Sequence, residues 1–94
     1  MKTIEPISKF APGKIRVSRS ALIELSPDEL LFGLVRHLSG DWGELDEHDW
    51  KENEAALEHG FRLLSVYSGR NDTKFWIITE HDRSATTILL PSEY

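Results

Sequence analysis

Residues 74–80, KFWIITE, decide the fold that this sequence predicts. In an extended chain, Phe75 and Ile77 fall on one side. Trp76 and Ile78 fall on the other side, so both faces of the segment are apolar. A strand with two apolar faces is typical of a covered position inside a sheet. We therefore expect this segment to be the central strand.

Two further runs rich in β-branched and aromatic residues flank this strand, at residues 61–68 (FRLLSVYS) and 85–90 (ATTILL). The intervening sequences SGRNDT and HDRS are rich in turn-forming residues. The three runs predict an antiparallel β-meander. Residues 14–18, KIRVS, alternate polar and apolar side chains and predict a short edge strand.

The strongest helix signal covers residues 27–39. Ser26 is placed to cap this helix, with Pro27 at its first position and Glu29 completing a capping box. Gly40 then supplies a left-handed ending. Apolar residues at helical spacing predict a buried stripe of Leu31, Leu34, Val35 and Leu38, widened by Leu30 and Phe32.

A second helix is predicted over residues 47–59, with Asp46 as its N-cap and Gly60 as its end. Leu45 and Trp50 have the spacing of a hydrophobic staple, which favours a structural role for Trp50. The apolar face of this helix is thin, so we expect it to lie on the surface. The sequence SALIEL at residues 20–25 predicts one or two further helical turns.

These elements predict an α+β fold in which two to three N-terminal helices pack on a C-terminal three- to four-stranded antiparallel β-meander. The 94 residues fit a single domain, 1–94, with an irregular N-terminal arm over residues 1–13. The absence of cysteine excludes disulfides and thiolate metal sites. No apolar run is long enough for a signal peptide or a membrane span, so a cytoplasmic location is expected.

The most unusual composition lies in residues 40–58, GDWGELDEHDWKENEAALE. This acidic segment carries eight carboxylates and one lysine, a net charge of −7, against −5 for the whole chain. Such charge disfavours nucleic-acid binding and favours a basic protein partner. Trp42 is not explained by the staple and is expected to be either a core residue or a binding anchor. The candidate partner-binding residues are Asp41, Trp42, Glu44, Asp46, Glu47, Asp49 and Glu52.

The alternative interpretation of the acidic segment is a solvated turn and helix start. A calcium loop of the EF-hand type beginning at Asp41 would need oxygen ligands where Gly43 and Leu45 stand. Zinc-ligand spacing is also missing among the histidines, which are His37, His48, His59 and His81. We therefore expect neither a metal nor a cofactor, and we expect His37 to be a partly exposed helix residue.

A second polar cluster surrounds the hairpin between the last two predicted strands. His81, Arg83 and Thr86 could supply a base, a phosphate-binding cation and a hydroxyl, as in small ribonucleases of the RelE-like kind. A tight turn closed by an Asx-type hydrogen bond is the simpler interpretation, and no catalytic residue is assigned. The residues of this second candidate cluster are Trp76, Glu80, Asp82, Arg83 and Ser84.

Three stretches, SGDWGELDE, FRLLSVY and KFWIITEHDRSATTILLPSEY, resemble a group of small bacterial proteins of plasmids, prophages and other mobile elements. The resemblance covers residues 39–94, and His81 departs from the small or apolar residue typical of the group. Group members carry the labels "plasmid-related protein" and "type I restriction endonuclease subunit M". The second label does not fit, because an adenine methyltransferase needs two adjacent prolines in its active-site tetrapeptide. No two are adjacent among Pro6, Pro12, Pro27 and Pro91.

The resemblance implies a mobile-element accessory protein. We expect it to bind a basic nucleic-acid-binding defence protein and so inhibit a restriction or CRISPR complex through its acidic surface, without contacting nucleic acid or membrane. One alternative is a RelE-like ribonuclease that uses His81, Arg83 and Thr86. Another is a non-enzymatic homodimeric accessory domain that self-associates through an edge strand or an apolar patch.

Overall fold

The computed structural model describes residues 8–94, so the first part of the predicted N-terminal arm lies outside the described residues. Three helices and a four-stranded sheet confirm the predicted α+β fold. No helix among residues 8–94 has the length and apolar character needed to cross a membrane. In chain order the elements are β1 (Lys14–Val17), α1 (Arg19–Glu24), α2 (Pro27–Leu38), α3 (Glu47–His59), β2 (Leu63–Ser68), β3 (Lys74–Thr79) and β4 (Ala85–Leu89).

The sheet has the strand order β1-β4-β3-β2. Strands β2, β3 and β4 form the predicted antiparallel meander, and β3 has a neighbour on each side, as expected of a central strand. The prediction that a fourth strand would also be antiparallel is wrong, because β1 runs parallel to β4. Strands joined by a hairpin must be antiparallel, but β1 reaches β4 only through the rest of the fold, so no turn fixes its direction.

The main core lies between the helices and one face of the sheet. Phe75 and Ile77 of β3 point toward the helices, where they pack with Ala21 of α1 and with Leu25, the residue that follows α1. Tyr67 of β2 completes this face of the sheet. The helices therefore cover one side of the sheet, as the sequence predicts.

The buried face of α2 is not the predicted stripe. Leu31, Phe32 and Val35 are exposed, whereas Gly33 and His37 are buried and Leu30, Leu34 and Leu38 are partly buried. The inward positions keep the expected spacing but start one residue earlier, which turns the helix by about 100°. The cause lies at Gly33, where an added Cβ would sit 2.7 Å from the ring of Phe75. Only glycine lets α2 approach the sheet this closely.

The predicted helix ends are confirmed. Ser26 Oγ accepts the N–H of Glu29 at 3.2 Å, and Glu29 Oε1 accepts the N–H of Ser26 at 3.2 Å, which is a complete capping box. Asp46 Oδ1 accepts the N–H of Asp49 at the start of α3. Gly60 ends α3 in the left-handed conformation, with φ of 74°.

The outer edge of β2 is covered by the polypeptide that follows α2. Gly43 pairs with Val66 as an isolated parallel bridge, and the N–H of Glu44 donates to the carbonyl of Val66 at 2.8 Å. Further along the edge, the side-chain amide of Asn53 in α3 bonds both the N–H and the carbonyl of Leu64. Because an uncovered edge strand can pair with another chain, these contacts protect β2.

Candidate functional site

The first carboxylate of the acidic segment is bound within the fold. Asp41 Oδ2 lies 2.8 Å from Nε of Arg36, and Asp41 Oδ1 accepts the N–H of Gly43 at 3.1 Å. The hydrogen bond from Arg36 holds the pKa of the Asp41 carboxyl below its usual value. Arg36 in turn stacks on the ring of Tyr67 at 4.6 Å. Asp41 therefore stabilises the loop after α2 rather than standing free for a partner.

Glu44 and Asp46 also have partners in their own chain. Glu44 Oε1 lies 2.6 Å from Nζ of Lys74, and this contact lowers the pKa of the Glu44 carboxyl. Asp46 is engaged as the N-cap of α3. The predicted partner-binding carboxylates that precede α3, Asp41, Glu44 and Asp46, are therefore engaged in contacts within the fold.

Trp42 is a core residue, which corrects its assignment to the partner-binding surface. Its exposed fraction is 0%, and it packs with Ala56 and Leu63 in a second cluster under α3. The indole N–H donates to Glu54 Oε1 at 3.0 Å, so its one polar group is satisfied within the fold. A side chain that solvent cannot reach cannot anchor a partner on this surface.

The outward face of α3 keeps its negative charge. Glu47 pairs with Lys51 of the same helix at 3.2 Å, and Glu52 lies 3.8 Å from His48, also of the same helix. Within residues 8–94, no lysine or arginine of another element pairs with a carboxylate of α3. We call this face the acidic helix surface; its exposed acidic residues are Glu47, Asp49, Glu52, Glu54 and Glu58.

The acidic helix surface sits on a firmly attached helix. Asn53 binds the backbone of β2, and Ala56 is buried against the sheet. At the other end, Nη2 of Arg83 donates to the carbonyl of Ala56 at 3.0 Å. Leu45 and Trp50 both pack against the cluster under α3, consistent with the predicted staple. The carboxylates are therefore presented from a fixed backbone.

The hairpin cluster does not assemble the parts of a ribonuclease site. Nη1 of Arg83 donates to the carbonyl of Phe61 at 2.6 Å, so its guanidinium is used to hold backbone atoms. Thr86 is fully buried and donates to the carbonyl of Pro12 at 2.7 Å. His81 remains exposed at the turn. A base, a cation and a hydroxyl are therefore not brought together around a common space.

The other residues of this cluster also have structural contacts. Asp82 Oδ1 accepts the N–H of Ser84 at 3.0 Å, which is the Asx-type turn that the sequence favours, and bonds with Ser84 lower the pKa of Asp82. Glu80 lies 3.8 Å from Nε of Arg62. Trp76 is half-buried on the sheet face opposite the helices, where its ring meets that of Tyr94 edge-on at 5.3 Å. These residues do not form a common site.

No local sequence pattern predicts the chain of buried polar side chains that lies beneath α2. Instead of being partly exposed as expected, His37 is 0% exposed. Its Nδ1 lies 2.6 Å from Oγ of Ser65, and its Nε2 lies 2.8 Å from Oγ1 of Thr79. Thr79 Oγ1 then lies 2.7 Å from Oγ1 of Thr86, which bonds the Pro12 carbonyl. We call these four side chains the buried polar chain.

The direction of every hydrogen bond in the buried polar chain follows from the bond between Thr86 and the carbonyl of Pro12. A carbonyl only accepts, so the Thr86 hydroxyl donates to Pro12 and must accept from Thr79. Thr79 has then used its proton and accepts from Nε2–H of His37. Burial lowers the pKa of His37 to about 3, so the ring is neutral and its Nδ1 accepts from Ser65.

A serine hydroxyl bonded to a neutral imidazole is also the arrangement of an activated nucleophile. Here Ser65, His37 and Thr79 are all fully buried, so a substrate cannot reach the hydroxyl. The structural role is therefore the better interpretation. A polar cluster that is fully satisfied fixes how α2 lies on the sheet.

Residues 8–94 contain no group of three or more histidine or acidic residues arranged to hold a metal ion. Comparisons with models of protein families, with curated proteins and with solved structures find no match to this chain. The resemblance to mobile-element proteins therefore stays a prediction from the sequence.

Proposed function

We propose that this protein is a non-enzymatic binding protein that engages a basic surface of another protein through the acidic helix surface of α3. One observation carries the proposal. Within the described residues, no basic side chain from elsewhere in the fold neutralises the carboxylates of α3. The lysines and arginines that do form ion pairs with other elements act on the loop before α3 or on the sheet.

The electrostatic range of this surface suits recognition of a charged partner. Glu47 and Glu58 are separated by eleven residues, which at the rise of an α-helix is roughly 16 Å. A net negative field over such a length speeds the encounter with a basic surface. Its reach is set by the Debye length, about 8 Å at physiological salt, so binding should weaken as salt is added.

We propose further that the partner is a nucleic-acid-binding component of a restriction or CRISPR defence complex. The resemblance to proteins of mobile elements supports this choice, because a mobile element is maintained better when the defence systems of its host are inhibited. The basic surface that binds the phosphates of a nucleic acid is also the surface that a row of carboxylates can occupy. The protein would then compete with nucleic acid instead of binding it.

The ribonuclease alternative gains no support from the geometry. Arg83 is committed to backbone carbonyls, and Thr86 is buried within the polar chain. Neither is free to contact a phosphate or a ribose. The homodimer alternative concerns association through an edge strand or an apolar patch, so it does not compete with binding through α3.

The test compares two variants with the same change in charge. Glu52→Lys with Glu58→Lys reverses two carboxylates on α3, whereas Glu24→Lys with Asp72→Lys reverses two exposed carboxylates elsewhere. Each protein is used as bait in extracts of cells that carry restriction and CRISPR systems, and circular dichroism checks that each bait is folded. We expect a basic protein to be captured by the wild type and by the second variant, but not by the first.

The captured complex is then purified and its DNA cleavage is measured with increasing amounts of each protein. Inhibition by the wild type, lost in the α3 variant and reduced by salt, is the expected result. Equal capture and inhibition by the α3 variant would refute the role of the acidic helix surface. Capture without any effect on cleavage would refute the inhibitor role while leaving the binding surface intact.

A further inference from the structure

The outward face of α2 is apolar and uncovered. Leu31, Phe32 and Val35 are 62%, 73% and 43% exposed, although each has an aliphatic or aromatic side chain. All three lie on one side of the helix within five residues, so they form a continuous patch. Exposed apolar patches of this kind mark surfaces that bind another protein. This α2 patch is separate from the acidic helix surface, because α2 packs over β3 and α3 packs over β2.

A groove runs along the patch on the side of the β2–β3 turn. It has a volume of about 400 Å³. Phe32 and Arg36 stand at its wall, and Gly33 and Phe75 lie among its lining residues. Phe32, Gly33 and Phe75 give the groove an apolar lining at this point. A ring the size of phenylalanine from a neighbouring molecule therefore has a place to enter next to Phe32.

Two charged residues of α2 are placed symmetrically about Phe32. Asp28 precedes it by four residues, about one helical turn, and Arg36 follows it by four residues. Asp28 is exposed and forms no ion pair with residues 8–94. Arg36 uses Nε and Nη2 for Asp41, which leaves its Nη1 group available. Arg70 also lies beside the patch.

We infer that the α2 patch binds a second copy of this chain, with the two α2 helices antiparallel and a twofold axis passing beside Phe32. In this arrangement each Asp28 faces the Arg36 of the partner. The two Phe32 rings meet at the centre and enter the facing grooves, and Leu31 and Val35 pack on either side. Helices packed this way have axes 8–10 Å apart, a distance that side chains of this size fill.

The self-complementary order of the residues is the reason to choose a second copy over another partner. A twofold interface requires that each surface match itself, so an acidic residue must stand as far before the axis as its basic partner stands after it. Asp28 and Arg36 meet this condition about Phe32. A partner with an unrelated sequence would not require this symmetry. The dimer would also present two acidic helix surfaces at once.

The first experiment measures the molecular mass of the purified protein by sedimentation equilibrium over a wide range of concentrations. A monomer–dimer equilibrium is expected for the wild type. Phe32→Ser should raise the dissociation constant by roughly a hundredfold or more, since each dimer loses two buried aromatic rings. Phe61→Ser is the matched control, because Phe61 is 61% exposed and lies outside α2, and it should leave the equilibrium unchanged.

The second experiment tests the antiparallel arrangement through its charges. Asp28→Arg should dissociate the dimer, because two guanidinium groups would then face each other at both ends. Arg36→Glu should do the same with carboxylates. When the two variants are mixed, both ends regain opposite charges, so a heterodimer should form at least tenfold more tightly than either homodimer.

Circular dichroism shows whether each variant is folded, since Arg36→Glu also removes the contact with Asp41. If that variant does not fold, Asp28→Arg alone still tests the proposal, because Asp28 is exposed. A wild-type protein that stays monomeric at all concentrations would overturn the inference. So would a dimer that survives Phe32→Ser, and a mixture that associates no better than its components would overturn the antiparallel register.

Discussion

The imidazole of His37 and the hydroxyl of Ser65 are joined in the core by a hydrogen bond of 2.6 Å between Nδ1 and Oγ. The same ring reaches Thr79 through Nε2, so one side chain of α2 is bonded to both β2 and β3. Apolar contacts tolerate a shift of a helix along a sheet, whereas two directed bonds do not. Together with the close approach at Gly33, His37 therefore sets the rotation of α2, and this rotation places Phe32 on the outside.

The pKa of His37 predicts how stability depends on pH. In the folded protein the pKa is lowered from 6.5 to about 3 by burial, so the unfolded chain binds a proton that the folded chain does not. The free energy of unfolding should therefore fall as the pH is lowered from 6.5 toward 3, by up to about 1.4 kcal/mol per pH unit. Above pH 6.5 this residue should have no effect on the pH dependence. Urea unfolding at a series of pH values measures this dependence of the free energy of unfolding on pH.

His37→Gln provides the control, since glutamine can form hydrogen bonds but does not titrate in this range. The stability advantage of the wild type over this variant should shrink as the solution becomes more acidic. Carboxylates such as Asp41 and Glu44 also lose stabilising contacts in acid, but they do so equally in both proteins. An advantage that stays constant with pH would contradict a neutral, buried His37.

The direction of the hydrogen bonds in the buried polar chain predicts the effect of Thr79→Val. Valine has nearly the same shape but cannot accept the Nε2–H of His37, which would be left unpaired in the core. We expect a loss of about 1–3 kcal/mol in the free energy of unfolding. Thr79→Ser keeps the hydroxyl and should cost about 1 kcal/mol, the value of one buried methyl group. A larger loss for the serine variant would refute this assignment.

The sequence predicts the elements of this fold well, because their signals are local. The capping box at Ser26 and Glu29 and the cap at Asp46 depend on residues within one helical turn. The strand alternation around Trp76 likewise needs no knowledge of distant residues. These signals also identify which helix carries the acidic charge.

The orientation of α2 could not be predicted, because it depends on partners far away in the sequence. The apolar spacing in the sequence predicts a buried stripe that includes Leu31 and Val35. The orientation of α2 is set instead by the close contact of Gly33 with Phe75 and by the hydrogen bond between His37 and Ser65. A histidine in a helix is ordinarily expected to be partly exposed, and no local sequence pattern predicts that two buried hydroxyl groups bond to its ring. For Trp42, the sequence is equally compatible with a buried core position and with an exposed binding anchor, and only the fold distinguishes these two roles.

Asn53 predicts how firmly α3 is held. Its amide bonds the N–H and the carbonyl of Leu64 at the edge of β2, so Asn53→Leu should leave both backbone groups without a protein partner. We expect a loss of about 1–3 kcal/mol and faster hydrogen exchange at the Leu64 amide. Ala55→Ser, at an exposed neighbouring position of the same helix, should change neither quantity appreciably. Unchanged exchange in the Asn53 variant would mean that the apolar contacts of α3 protect this edge without the amide.

Arg83 separates the structural interpretation of the hairpin from the enzymatic one. Its guanidinium joins the β3–β4 turn to the carbonyls of Phe61 and Ala56 at the end of α3, with donor distances of 2.6 and 3.0 Å. Arg83→Lys keeps the charge, but a single ammonium group cannot reproduce the planar fork that reaches both carbonyls. We expect the variant to lose about 1–3 kcal/mol, which lowers Tm by roughly 5–15 °C in a chain of this size.

The wild type and Arg83→Lys are also incubated with RNA at high protein concentration, and neither should degrade it. His81→Ala serves as the second variant, because His81 is exposed and its removal should leave Tm nearly unchanged. RNA cleavage by the wild type that is lost in both variants would show that the hairpin is an active site. Arg83 would then have to leave its two carbonyls to reach a phosphate, since the geometry that stabilises α3 and the geometry that binds RNA use the same guanidinium.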